Sequence, residues 1–275
     1  MGLQFGKLIC IDFAIQFIGW IISAKFRTEK YFDLTGNKLY IEFMYLNIVY
    51  SGSLTFILLT YLSRNSTRQT LRQKIQSSCI FIWALRLGAF LFYRILKAGK
   101  DSRFDRMRNS PSKLFTAWML QGLWVIITLL PTLYLNRKHV DKPLTKTDYI
   151  GWSMWLFGFL FEVIADKQKM TFKNNLNNKE NFISTGLWKY SRHPNYFGEI
   201  CSWLGLYISS SHMLVGYEKF IGILSPIFVT CLLSFVSGIP ILERQAMKLF
   251  GTNPAYHTYR NRTPILIPFI NFPRI

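Results

Sequence analysis

The sequence has few acidic residues. Asp and Glu number 14 among 275 residues, against 33 Lys and Arg, so the formal net charge is +19. Such a charge attracts anions, and here the cations lie in short loops next to apolar segments. We therefore expect anionic membrane lipids, such as cardiolipin, and phosphate-bearing cofactors as partners, and no nucleic acid.

The sequence also lacks the patterns of a metal site or a disulfide framework. The four cysteines lie in separate apolar runs with no C-x-x-C spacing, and the four histidines form no H-x-x-x-H pair. Small buried cysteine side chains and no metal site are the expectation.

Charged residues of either sign are scarce, at 17%, whereas hydrophobic residues make up 50% of the chain. A membrane-spanning helix needs roughly 20 mostly apolar residues, and a backbone in lipid must satisfy its own hydrogen bonds. Seven runs are candidates, and we predict an all-α polytopic membrane protein that forms a single integral-membrane domain over residues 1–275. The runs are residues 8–24, 40–62, 76–96, 114–135, 148–165, 195–214 and 220–241.

The loops between these runs differ in their content of Lys and Arg. The loops after the first, third and fifth runs, together with the C-terminal tail, carry about twice as many cations as the remaining loops. Because cytoplasmic or matrix loops are enriched in Lys and Arg, the N-terminus is predicted outside and the C-terminus inside. The expected location is the endoplasmic reticulum or the mitochondrial inner membrane.

Several ionisable residues fall inside the apolar runs or at their borders. Such groups are costly in a bilayer and usually face a partner or a cavity, so they mark either interhelical ion pairs or a functional site. Glu162, Asp166 and Glu199, at the inner ends of the fifth and sixth runs, cluster around one basic loop, which favours a site there. The other ionisable residues within the runs are Asp12, Glu42 and Arg86.

The stretch "GLWKYSRHPNYFGEI", residues 186–200, leads into the sixth run. Pro194 suits the first position of a helix, and Ser191 could cap it. A helix start with Arg192 and His193 beside it would bind phosphate. Asn195 and Glu199, four residues apart on one helical face, suit ribose or carboxamide donors. A simple anchor at the membrane interface is the alternative.

Five stretches resemble the steroid 5-alpha-reductase superfamily, specifically its reductase-like membrane proteins of largely unassigned substrate. They are "KYFDLTG" (30–36), "WALRLGAFLFYRILKAGKDSRFDRMR" (83–108), "ADKQK" (165–169), "GLWKYSRHPNYFGE" (186–199) and "ERQAMKLFGTNPAYHTYRNRTPILIPF" (243–269). The resemblance implies a seven-helix bundle that binds NADPH on its inner side through residues 165–275. It also implies hydride transfer to a carbon–carbon double bond of a lipid, steroid or isoprenoid.

The resemblance carries over to individual residues. Glu42 and Tyr93 are the candidates for polarising the substrate carbonyl, although neither lies in a matching local motif. The implied cofactor contacts are Asp166, Lys189, Tyr190, Arg192, His193, Asn195, Glu199, Tyr256, Tyr259 and Arg262.

Two other functions remain open from the sequence. The R-H-P-x-Y element also occurs in membrane methyltransferases that use S-adenosylmethionine, but those carry a Glu-Glu pair where this chain has Glu243 and Arg244. A non-catalytic accessory subunit of a larger membrane complex, such as a mitochondrial respiratory complex, could keep the same fold.

Overall fold

A computed structural model describes residues 4–25, 52–64, 69–98, 110–178 and 180–270. Within these ranges the chain is helical and has no strand. The helices are α1 (Phe5–Lys25), α2 (Gly52–Ser63), α3 (Leu71–Ala98), α4 (Pro111–Asn136), α5 (Lys146–Asn174), α6 (Pro194–Ser211), α7 (Tyr217–Gly222), α8 (Leu224–Cys231), α9 (Ile239–Phe250) and α10 (Pro254–Arg262). The predicted all-α class is confirmed for the described residues.

Four helical segments are long and apolar enough to cross a membrane: Phe5–Ile22, Leu71–Tyr93, Pro111–Asn136 and Tyr217–Phe250. The chain is therefore an integral membrane protein. The described part of the second predicted run is the shorter apolar helix α2, and residues 40–51 of that run lie outside the described residues. Helices α5 and α6 occupy the fifth and sixth runs, and their crossing of the membrane stays a prediction.

The last long apolar segment is a succession of short helices. After α7 and α8, a single π-helical turn covers Leu232–Val236, and Gly238 separates this turn from α9. A Cβ atom on Gly238 would contact the backbone of Leu233, which explains why glycine stands at this bend.

The chain forms two compact units. The first consists of Met1–Leu144 and Met213–Glu218, and the second of Thr145–His212 and Lys219–Ile275. The C-terminal half predicted to bind the cofactor, residues 165–275, lies in the second unit except for Met213–Glu218. A single domain over residues 1–275 stays a prediction.

In the first unit, α1 packs on α4 through polar and small residues. Asp12 is fully buried and accepts a hydrogen bond from Gln16 Nε2 at 3.3 Å. Gly122 on α4 makes room for this pair, because a Cβ atom there would lie 2.8 Å from Asp12 Oδ2. Arg86, another predicted buried charge, is half-buried with its guanidinium 5.3 Å from the centre of the Phe90 ring.

In the second unit, α5 and α6 pack through glycines. A Cβ atom on Gly158 of α5 would lie 2.5 Å from the carbonyl oxygen of Gly198 on α6. A Cβ atom on Gly198 would lie 2.6 Å from the carbonyl oxygen of Gly158. Gly151 and Gly205 repeat this arrangement two turns away. Small residues thus bring the two backbones into direct contact, as is common in membrane helices.

Candidate functional site

The loop between α5 and α6 is held by the "ADKQK" segment in the C-terminal half of α5. Trp188 donates its indole N–H to the carbonyl oxygen of Ala165 at 3.0 Å. The backbone N–H of Leu187 donates to Gln168 Oε1 at 2.9 Å. Lys169 Nζ lies 4.6 Å from the centre of the Trp188 ring. The segment therefore fixes the loop that leads to Arg192 and His193.

Gly186 begins the 3₁₀ turn Gly186–Lys189 with a φ angle of +61°. A Cβ atom at this position would also lie 2.6 Å from the Gln168 side chain. The positive φ angle therefore favours glycine here, and a larger residue would also displace the Gln168 side chain that accepts from Leu187.

The C-terminal tail holds the same loop from the other side. The Ser191 hydroxyl donates to the carbonyl oxygen of Leu266 at 2.7 Å, and the Arg192 N–H donates to Pro264 at 2.9 Å. The Tyr259 hydroxyl donates to the carbonyl oxygen of Trp188 at 2.7 Å. Burial raises the pKa of Tyr259, so this phenol remains a donor at neutral pH.

Aromatic rings hold α10 against the loop between α5 and α6. Phe182, in the loop before Gly186, lies 5.1 Å from Tyr256 and 5.3 Å from Tyr259, measured between ring centroids. Phe250 completes the group at 5.8 Å from Phe182. Tyr256 is buried. These two predicted cofactor residues thus belong to the packing of the tail onto the loop.

Helix α6 begins at Pro194, as the sequence predicts, but its N-cap residue is His193 and not Ser191. Ser191 instead accepts a hydrogen bond from the His193 N–H at 3.2 Å while its hydroxyl donates to the tail. Because Pro194 is the first residue of the helix, the N-cap falls on residue 193, and Ser191 lies two residues before it.

Arg192 and His193 face a carboxylate from α9. Arg192 forms an ion pair with Glu243 Oε2, and His193 Nε2 lies 2.9 Å from Glu243 Oε1. Arg260 on α10 lies 3.5 Å from Oε2 of the same carboxylate. The side chains of two arginines and one histidine therefore converge on one half-buried carboxylate.

Burial lowers the pKa of His193, and this effect exceeds the opposing influence of Glu243. Lys169 and Arg192 lower the pKa further through their positive charges. The imidazole is therefore neutral at pH 7.

Asn195 in the first turn of α6 pairs with α5. Its Nδ2 donates to Asp166 Oδ1 at 3.1 Å, and Asp166 is buried. Glu199, one turn further along α6, is half-buried. The structure thus brings together Asp166 and Asn195, two of the residues predicted to bind the cofactor.

The remaining predicted residues lie around this cluster or outside it. Lys189 and Tyr190 are exposed, and the Tyr190 ring lies 4.9 Å from that of Phe269. Arg262 is exposed at the end of α10. Tyr93 is 46% exposed on α3 in the first unit, and Glu42 lies outside the described residues.

Sequence reasoning missed Glu243 and Arg260 as members of this cluster. In the sequence, Glu243 stands out only because the residue after it is Arg244, where the methyltransferases carry a second Glu. Its signal was present, however, since it is an acid in a strongly basic tail of a chain with only 14 acidic residues.

These features define an all-α integral membrane protein with a buried polar cluster at the start of one helix. The model of a protein family matches residues 20–263, and the chain therefore belongs to that family. It is DUF1295, described as "Protein of unknown function".

Two proteins of Schizosaccharomyces pombe are similar to parts of the chain. Uncharacterized protein C594.04c is 24% identical over 155 residues, covering 46% of this chain and 45% of that protein. Uncharacterized protein C7D4.09c is 23% identical over 111 residues, covering 40% of each. The chain thus spans less than half the length of these relatives. No solved structure gives a significant match.

Proposed function

We propose that this protein is an NADPH-dependent membrane reductase that acts on a carbon–carbon double bond of a lipid, steroid or isoprenoid. The observation that carries the proposal is the polar cluster at the start of α6. There the buried side-chain atoms His193 Nδ1 and Asn195 Oδ1 have no hydrogen-bond partner in the described part of the chain. Buried polar atoms are rarely left without partners, so this pattern fits a ligand with hydrogen-bond donors.

Each side chain of the cluster has a task in this proposal. Asp166, Asn195 and Glu199 hold ribose or carboxamide groups, and Lys189 and Arg192 lie near the 2′-phosphate. Tyr190, Tyr256, Tyr259 and Arg262 frame the cofactor from the loop and the tail. NADPH would supply the hydride, while the protein orients it and excludes water. Glu42 and Tyr93 remain the candidates for polarising a substrate carbonyl.

A lipid-like substrate fits a feature of the first unit. An apolar cavity of about 470 Å³ is lined by residues of α1 and α2. Its volume and lining suit a hydrocarbon chain or ring system. The lining residues are Ile15, Leu54, Thr55, Ile57, Leu58 and Tyr61.

One observation favours a second function, that of a non-catalytic accessory subunit in a larger membrane assembly. Arg192, His193 and Arg260 already share the carboxylate of Glu243. Cationic side chains that are already paired with a carboxylate of the same chain attract a phosphate less strongly. In this alternative the cluster only stabilises the tail on the loop.

Titration of the purified protein in nanodiscs with NADPH, NADH and S-adenosylmethionine distinguishes these functions. The reductase proposal expects saturable NADPH binding that is tighter than NADH binding. Lys189→Ala, in the exposed loop, should narrow that difference, because a 2′-phosphate gains from a nearby cation. Binding of S-adenosylmethionine alone would indicate the methyltransferase, and binding of none of the three would favour the accessory subunit.

For the topology we propose seven membrane spans, with the N-terminus outside and the C-terminus on the cytosolic or matrix side. The uneven distribution of Lys and Arg among the loops supports this orientation. The same cations would attract anionic lipids of the endoplasmic reticulum or the mitochondrial inner membrane. Protease digestion of a C-terminal tag in sealed vesicles tests it, and a tag protected from the cytosolic or matrix side would refute it.

A further inference from the structure

Two carboxylates orient the polar side chains at the start of α6. Glu243 Oε1 lies 2.9 Å from His193 Nε2, and Asp166 Oδ1 lies 3.1 Å from Asn195 Nδ2. An ionised carboxylate can only accept hydrogen bonds. Each therefore takes the donor atom of its partner, which fixes the tautomer of the histidine and the orientation of the amide.

In His193 and in Asn195, the acceptor atom is not engaged by the carboxylate. With a proton on Nε2, the neutral imidazole of His193 has a lone pair on Nδ1. With Nδ2 turned to Asp166, Asn195 has its Oδ1 atom free to accept. Both atoms are buried and have no partner among the described residues, and His193 as a whole is only 4% exposed.

We propose that Glu243 is a positioning residue of the cofactor site, because it makes His193 a hydrogen-bond acceptor that acts with Asn195 on a ligand N–H or O–H group. The proposal rests on the proposed reductase function for the identity of the ligand. In this proposal His193 binds an uncharged hydrogen-bond donor of the ligand and does not bind phosphate. A phosphate offers only acceptor oxygens at neutral pH and would be repelled by two further acceptors.

The ligand group that binds His193 Nδ1 and Asn195 Oδ1 must carry a hydrogen-bond donor. Backbone N–H groups at the helix start are donors as well, so a group with both a donor and an acceptor fits best. A carboxamide and a sugar hydroxyl each meet this requirement. Both occur in NADPH, and an acetylpyridine analogue of NADPH keeps the hydroxyls but lacks the amide N–H.

The variant Glu243→Gln tests the proposal because it should reverse the tautomer. Arg192 and Arg260 both lie on Oε2 of Glu243, so they would retain the oxygen of a glutamine. Its NH₂ group would then face His193 and donate to Nε2, which moves the proton to Nδ1. Glu218→Gln, which alters a carboxylate paired with Lys138 in the first unit, is the matched control.

The first measurement is ¹⁵N NMR of the full-length protein labelled at histidine. The chain has four histidines, and His193→Gln identifies the signals of His193. We expect a protonated Nε2 and an unprotonated Nδ1 in the wild type and in Glu218→Gln, and the reverse in Glu243→Gln. An Nδ1–H tautomer in the wild type, or no change in Glu243→Gln, would overturn the proposal. This result does not depend on whether any nucleotide binds.

The second measurement is the affinity for NADPH, NADH and the acetylpyridine analogue. Glu243→Gln should weaken NADPH and NADH equally, by about tenfold, because an N–H then faces the ligand donor. An equal loss for the analogue identifies a sugar hydroxyl as the donor, and a smaller loss identifies the carboxamide. A change confined to NADPH would mean that Glu243 acts on phosphate through Arg192, which would contradict the proposal.

Discussion

Gly158 of α5 and Gly198 of α6 lie so close that a Cβ atom on either would come within about 2.6 Å of the other's carbonyl oxygen. This contact sets the separation of the two helices that carry Asp166 and Asn195. The position of the polar cluster therefore depends on residues that have no functional groups of their own.

Gly158→Ala should lower the stability of the second unit. The new methyl group would meet the backbone of α6, and relief requires the helices to separate, at a cost of about 1–3 kcal/mol. Thermal unfolding in detergent should show a drop of several degrees. Gly6→Ala on α1 is the control, because no atom lies within 4 Å of its Cβ position. A Gly158→Ala protein as stable as the control would show that the helices are not in this contact.

Tyr259→Phe should loosen the tail. The substitution removes the donor to the Trp188 carbonyl oxygen and keeps the ring that packs on Phe182. Losing the partner of a buried carbonyl costs about 1–3 kcal/mol. Limited proteolysis should cleave the C-terminal tail faster in this variant. Tyr149→Phe, at an exposed position of α5, should leave the cleavage rate as it is in the wild type.

Asn195→Ala and Glu199→Gln should each weaken NADPH binding about five- to tenfold, as expected for one lost hydrogen bond. Both residues lie on one face of α6, one turn apart. Cys201, two residues beyond Glu199, points away from that face, so Cys201→Ser should bind like the wild type. Isothermal titration in nanodiscs gives the three affinities, and equal values would count against the site.

Stability should fall as the pH drops below about 6.5. Burial lowers the pKa of His193 in the folded protein, with Glu243 opposing and Lys169 and Arg192 adding to the shift. A histidine in the unfolded chain has a pKa near 6.5, so below this pH the unfolded state binds a proton that the folded state does not. Acid therefore favours unfolding at this residue.

Comparing melting temperatures at pH 7.5 and pH 5.5 tests this expectation. His193→Gln should show a smaller loss than the wild type, whereas His139→Gln, at an exposed position, should show the same loss. An identical acid dependence in the wild type and His193→Gln would remove His193 as its source.

The sequence was sufficient for those features that depend on local patterns. Apolar run lengths predicted helices at α1, α3 and α4, and the proline rule predicted the first residue of α6. The pairing of Asp166 with Asn195 was also within reach, since both lie in motifs that flank the same loop. Each of these features depends on residues that lie within about 30 positions of one another in the sequence.

Contacts made over longer separations could not be predicted in the same way. Glu243 meets Arg192 and His193 only because the π-helical turn and Gly238 redirect the chain before α9. Gly238 and Pro240 mark a break near the end of the run of residues 220–241, but they do not show in which direction the chain continues. Likewise, the spacing of glycines on α5 and α6 does not reveal which glycine faces which until the two helices are packed.

The bond from Ser191 to Leu266 joins residues 75 positions apart. A ribosome adds residues in order, so the loop that leads into α6 leaves the exit tunnel long before the carbonyl groups that hold it exist. Until residues 264–266 are made, Ser191 and Arg192 lack their backbone partners in the tail. The loop before α6 therefore gains these bonds only after residues 264–266 have been made, and a nascent chain stalled before Pro264 would lack them.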